Sequence, residues 1–93
     1  METKSAVNKK REYYVSLPNL GYAIRKSEHD YKWAVIARDR VVEGTWSDWY
    51  VARWSSSHEL ATKHANYLET GCPAVKKHGW EYETRVVSVD QWS

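Results

Sequence analysis

The sequence predicts an α+β fold: a four- or five-stranded, mainly antiparallel, twisted sheet with one helix packed on one face, in the order β-β-β-(β)-β-α-β. Three observations carry this expectation. Apolar and polar residues alternate over several stretches between positions 12 and 54, the period of strands half buried on a sheet. The apolar spacing then becomes helical over 57–69. Strand-like alternation returns over 80–89. A chain of 93 residues holds one small domain. Residues 1–11 read as a flexible basic N-terminal arm and 12–93 as a single α+β domain.

In the first predicted strand, 12–18, Tyr13, Val15 and Leu17 alternate with Glu12, Tyr14 and Ser16, and Pro18 ends it by removing a ladder donor. Asn19-Leu20-Gly21 supplies a turn into a second strand, 22–27. Glu28-His29-Asp30 reads as a polar hairpin tip between the second and third strands. The strongest strand is 31–38, with Tyr31, Trp33, Val35 and Ala37 on one face and Ala34 and Ile36 on the other. Apolar residues on both faces mark a central strand. Asp39-Arg40 reads as a short turn, 41–46 as a weaker strand with Gly44 as a bulge point, and 49–54 as a further strand.

Ser56 and Glu59 fit a capping box that opens a helix over 57–69. Leu60, Ala61, His64, Ala65 and Leu68 form its apolar stripe, Gly71 suits its C-terminal boundary and Pro73 blocks its continuation. Residues 73–78 read as one more helical turn, and 80–89 as the last strand. The small residues Ala61 and Ala65 allow close packing on the sheet, against Val15, Leu17, Ile24, Val35, Val51 and Val86.

The formal charge is +2. Lys4, Lys9, Lys10 and Arg11 against Glu2 give residues 1–11 a charge of +3, which leaves −1 for residues 12–93. The basic character therefore belongs to the arm, and a near-neutral body counts against binding nucleic acid by massed phosphate neutralisation. One cysteine excludes an intrachain disulfide. The longest pure apolar run, Ala34 to Ala37, is too short for a membrane-spanning helix or a signal-peptide core.

The composition includes six Trp and seven Tyr but no Phe. One helix covers one face of such a sheet, so the other face is expected to lack a cover and to take the surplus aromatics with Arg25, Lys32, Arg38 or Arg53. Trp and Tyr bury large areas while keeping a polar edge, which suits interfaces. A partner-binding surface is expected from Trp46, Trp49, Tyr50, Trp54, Arg53 and Arg38. The alternative is a nucleic-acid surface built from Lys9, Lys10, Arg11, Arg25, Lys32 and Trp33, with aromatic rings stacking on bases.

Constellations for catalysis or metal binding are weak. His58, His64, Cys72 and His78 lack zinc-ligand spacing, and His29 lies far upstream. Cys72 has no Cys-His signature around it. Glu81 and Glu83 share a strand face; an exposed face balanced by Lys76, Lys77 and Arg85 explains them better than a paired-carboxylate site. The four glycines are scattered, so there is no phosphate loop. No enzyme, cofactor or metal site is expected.

The stretch 22–68 resembles the three-strand-plus-helix DNA-binding domains of plant ethylene-response factors and of the arm-type domain of phage integrases. The shared features are Tyr22 to Arg25, the central strand Trp33-Ala34-Val35-Ile36, a strand near 50–54, and a helix opening with Ser and Glu before Leu60-Ala61. That resemblance implies DNA contacts from Arg25, Lys32, Trp33 and Arg38. The sequence departs from the pattern in lacking the glycine hairpin between the second and third strands, in its neutral body and in the strand after the helix. In size and character the chain is also similar to small phage-encoded inhibitors of host defence, including anti-CRISPR proteins. This second resemblance implies a non-enzymatic inhibitor in the host cytoplasm. It would dock a Trp/Tyr-rich surface on a large protein complex such as a CRISPR-type or other defence nuclease, as a monomer or a strand-paired homodimer, without a membrane.

Overall fold

In the computed structural model, which describes residues 10–92, the strands divide between two sheets. The first sheet joins β1 (Arg11–Leu17), β2 (Gly21–Ser27) and β6 (Asp90–Trp92) in the order β2-β1-β6. The second joins β3 (Trp33–Val41), β4 (Tyr50–Ser55) and β5 (Trp80–Ser88) in the order β4-β3-β5. All four pairings are antiparallel. Between β4 and β5 lie helix α1 (His58–Asn66), a π-helical turn (Tyr67–Gly71) and a short helix α2 (Pro73–His78). The α+β class stands, with two three-stranded sheets in place of the single sheet expected.

Strand β3 is the centre of the molecule. Ala34, Val35, Ile36 and Ala37 are at most 2% exposed. Val35 packs with Ala61 and Ala65 of α1, flanked by Trp33, Ala52, Leu68 and Val86. Ala34 and Ile36 point the other way and pack with Val15 and Trp49, flanked by Leu17, Val51, Trp54 and Val87 among others. The helix therefore covers one face of the second sheet, while the first sheet covers part of the opposite face. This corrects two expectations: that face is not bare, and Val15, Leu17 and Val51 do not face the helix. Ile24 faces neither layer and is 53% exposed.

A bulge shapes β4. Arg53 pairs with Val35 but Val51 pairs with Ile36, which leaves Ala52 as the extra residue. Val51 and Trp54 are three apart and in regular alternation would point to opposite faces. The bulge turns both into the core between the sheets, and Ala52 toward the helix layer.

Several boundaries move for physical reasons. Asp39 and Arg40 extend β3, paired with Tyr82 and Glu81, rather than forming a turn. The weak strand expected over 41–46 is a turn: Glu43 has φ of 69° and the Gly44 amide donates to the Val41 carbonyl at 2.7 Å. The helix cap is Ser57, one residue later than expected, its hydroxyl accepting from the Leu60 amide at 3.1 Å. Glu59 pairs instead with Lys63 at 3.9 Å. The last strand breaks at Val89, whose amide donates to the Lys32 carbonyl at 3.0 Å, and β6 then joins the first sheet. Turn Leu17–Leu20 closes through a 3.1 Å amide–carbonyl bond, with Asn19 at φ of 63° beside Pro18.

Close approach of α1 to β3 depends on Ala61, which is fully buried. Ala61→Leu is expected to lower the unfolding free energy by about 1–3 kcal/mol through overpacking, measured by urea denaturation. An unchanged midpoint would show that the helix does not lie this close to the sheet.

Candidate functional site

The residues named from sequence separate into two places. Trp46, Trp49 and Arg38 meet on the second sheet, at the end of the inter-sheet core. Here β3 carries Arg38 and Arg40 opposite Glu83 and Glu81 of β5. Each arginine donates from Nε to its carboxylate at 2.7 Å. The loop 42–49 folds back over this lattice, held where the Ser47 amide donates to the Asp39 carbonyl at 2.8 Å and the Asp39 amide to Ser47 Oγ at 3.0 Å. The Trp46 ring then lies 4.5 Å from the Arg40 guanidinium and 4.7 Å from that of Arg38. The Trp49 ring lies 4.7 Å from Arg85 and 5.2 Å from Arg38. Three guanidinium groups and two indoles thus form one stacked layer. Trp49 is only 8% exposed and belongs to the core. Glu81 and Glu83 serve this lattice, with Arg40 and Arg38 as partners; of the residues expected to balance them, Arg85 lies over Trp49 and the Lys76 side chain is outside the described residues.

Tyr50 lies apart from this layer, on the opposite face of the same sheet, where it shares the side of Ala37 and Asp39. Its hydroxyl donates to Asp39 Oδ2 at 2.5 Å. Burial, that hydrogen bond and the Asp39 charge raise its phenol above the usual tyrosine range. Burial likewise raises Tyr82, with Cys72 and Asp39 adding to it.

The second place is a groove of about 400 Å³ between the 28–31 loop, the end of β4 and the start of α1. Its lining includes His29, Asp30, Tyr31, Arg53, Trp54 and Leu60. Tyr31 organises one wall. Its ring meets Tyr13 edge-on at 5.4 Å, approaches Trp54 at 6.1 Å and lies under the Arg25 guanidinium at 5.5 Å. Tyr13 is fully buried, and its hydroxyl donates to the His29 carbonyl, which anchors the loop. Leu60 is 52% exposed on the facing helix. Sequence reasoning missed Tyr31 and Leu60, which read as strand and helix-stripe core positions. Only the two-sheet topology brings them together.

The alternative nucleic-acid set does not gather on one surface. Trp33 packs under α1, edge-on to His58 at 4.7 Å. Arg11 opens β1 and donates to the Glu28 carbonyl at 3.2 Å. Arg25 covers Tyr31, and Lys32 is exposed in the link to β3. Lys10 is exposed, and Lys9 lies outside the described residues. Strand β2 pairs with β1 and not with β3. The three-strand sheet implied by the resemblance to DNA-binding domains is therefore not formed, and Arg25 and Arg38 lie on different sheets.

The remaining titratable groups are dispersed. His64 is half-buried and its pKa is lowered, by burial first and by Arg53 second. Cys72 is buried, with its thiol directed at the Leu68 carbonyl at 3.7 Å. Among the described residues there is no group of three His, Cys, Asp or Glu placed to hold a metal ion. Among the same residues, no helix is long and apolar enough to cross a membrane. Comparisons with protein-family models, curated proteins and solved structures give no match to this chain.

Trp49 at its core position carries a direct expectation. Trp49→Ala should destabilise the fold by about 3–5 kcal/mol, read by chemical denaturation. A variant as stable as the parent would mean that the ring belongs to the surface.

Proposed function

We propose that this chain is a non-enzymatic binding protein that docks on a protein partner through the groove formed by Tyr31, Arg53, Trp54 and Leu60. The observation that supports this most is the convergence of Trp, Tyr and Arg around one concavity with an exposed leucine on its rim. These residue types dominate binding energy when an apolar side chain fills a pocket and charges surround it. Arg53 and Asp30 on the lining offer both signs of charge for rim specificity. The fitting partner element is an apolar side chain flanked by a carboxylate for Arg53. In this reading Trp46, Trp49 and Arg38 support the domain, and Tyr50, Arg53 and Trp54 remain contact candidates.

The small size and near-neutral body fit an inhibitor of the phage or mobile-element kind, acting in the host cytoplasm on a large complex such as a defence nuclease. A nucleic-acid reading keeps one observation in its favour: Arg25 and Arg53 both lie around aromatic rings of this groove.

The test uses Arg53→Ala and Leu60→Ala, both at exposed side chains, against a partner captured from host-cell extract. At least one variant should keep its fold and lose about tenfold or more in affinity, equivalent to 1.4 kcal/mol. Full affinity in both would remove the groove from the interface. Retention on single-stranded DNA or RNA at low salt that collapses at moderate salt would favour nucleic acid instead.

A further inference from the structure

Among the described residues, three of the four sheet-edge strands carry a feature that blocks further pairing. On β5 the Thr84 amide is taken by Glu69 of the π-helical turn, at 2.9 Å, and the Thr84 hydroxyl donates to the same oxygen. On β4 the extra residue Ala52 breaks the register. Strand β6 is only three residues long. Strand β2 has none of these devices. Its seven residues, Gly21–Ser27, pair without interruption with β1, contain no proline, and form the outer edge of their sheet. Tyr22 and Ile24 on its outward face are 61% and 53% exposed.

We infer that β2 is a self-association edge, and that two copies of this chain pair antiparallel through it to make a continuous six-stranded sheet. The occupant is a second copy because the strand is complementary to itself in one register. With Ile24 opposite Ile24 of the other copy, all seven residues pair. Tyr22 then faces Lys26, and Ala23 faces Arg25. The exposed isoleucines meet at the centre, and each lysine lies against a tyrosine ring. Moving the centre to Arg25 sets two arginines directly opposite each other, which is destabilising. Moving it to Ala23 leaves Lys26 and Ser27 unpaired. The charges of β2 also make contacts within their own copy. Lys26 lies 3.8 Å from Glu12, and Arg25 stacks on Tyr31. This inference is independent of the groove.

The test is the mass of the full chain in solution by light scattering and sedimentation, up to about 1 mM, with a cross-linking arm. The parent should shift from monomer to dimer with concentration. Ile24→Lys, which puts like charges at the two-fold centre, should raise the dissociation constant at least about tenfold while leaving the thermal melt of the monomer unchanged. In a Cys72→Ala background, Ile24→Cys should form a disulfide-linked dimer on mild oxidation. Tyr22→Cys and Lys26→Cys should not, because each lies about 13 Å from its own counterpart in this register. A parent that stays monomeric throughout, a dimer untouched by Ile24→Lys, or cross-linking that does not peak at position 24 would each overturn the inference.

Discussion

Everything in this molecule is arranged around a strand with no solvent side. From Ala34 to Ala37, β3 is closed on both faces, so each face requires its own apolar layer. Helix α1 supplies one through Ala61 and Ala65. The first sheet supplies the other through Val15. A small domain has little apolar surface to spare, and placing one strand between two layers uses each of its side chains for burial. The bulge at Ala52 serves the same end by directing both Val51 and Trp54 into the inter-sheet core.

Beyond Ala37 the apolar run stops, and β3 continues with Arg38 and Arg40. Their alternation keeps them on the face that Ala34 and Ile36 begin. The fold answers with Glu83 and Glu81 across the ladder and with two indoles laid over the guanidinium groups. A guanidinium has an apolar face and a hydrogen-bonding edge, so one side chain can meet a carboxylate and a ring together. This use of tryptophan explains part of the unusual aromatic content without any ligand. Exposed aromatic surface remains at the groove, at Tyr50 and Tyr67, and on the outer face of the first sheet, where Tyr14 and Tyr22 meet edge-on at 5.3 Å.

The legible parts of the fold were those governed by local periodicity. Strands β1, β2, β4 and β5, the centrality of β3 and the span of the helical region all follow from alternation, apolar content and Pro or Gly boundaries. Sheet membership did not follow, because two-residue periodicity does not say which strand pairs with which. That is why β2 was expected beside β3, and why one sheet was expected in place of two. Asp39-Arg40 resembles a turn in composition, yet the cross-strand glutamates that hold it extended lie 41 or more positions away. For the site, Arg53 and Trp54 were legible as an aromatic–cation pair on a strand. Tyr31 and Leu60 were not, since the groove exists only where the 28–31 loop meets α1. The face expected to be bare, opposite the helix, is covered in part by the first sheet, and the exposed Tyr22 and Ile24 lie instead on β2.

The most direct test of the account is amide hydrogen exchange resolved by residue. If β3 is the strand closed from both sides, the slowest-exchanging amides should fall within Ala34–Ala37 and track global unfolding. The β1–β2 hairpin should open at lower free energy in dilute protein. Exchange in β3 as fast as in that hairpin would contradict the two-sided burial on which the arrangement of both sheets, the helix and the groove depends.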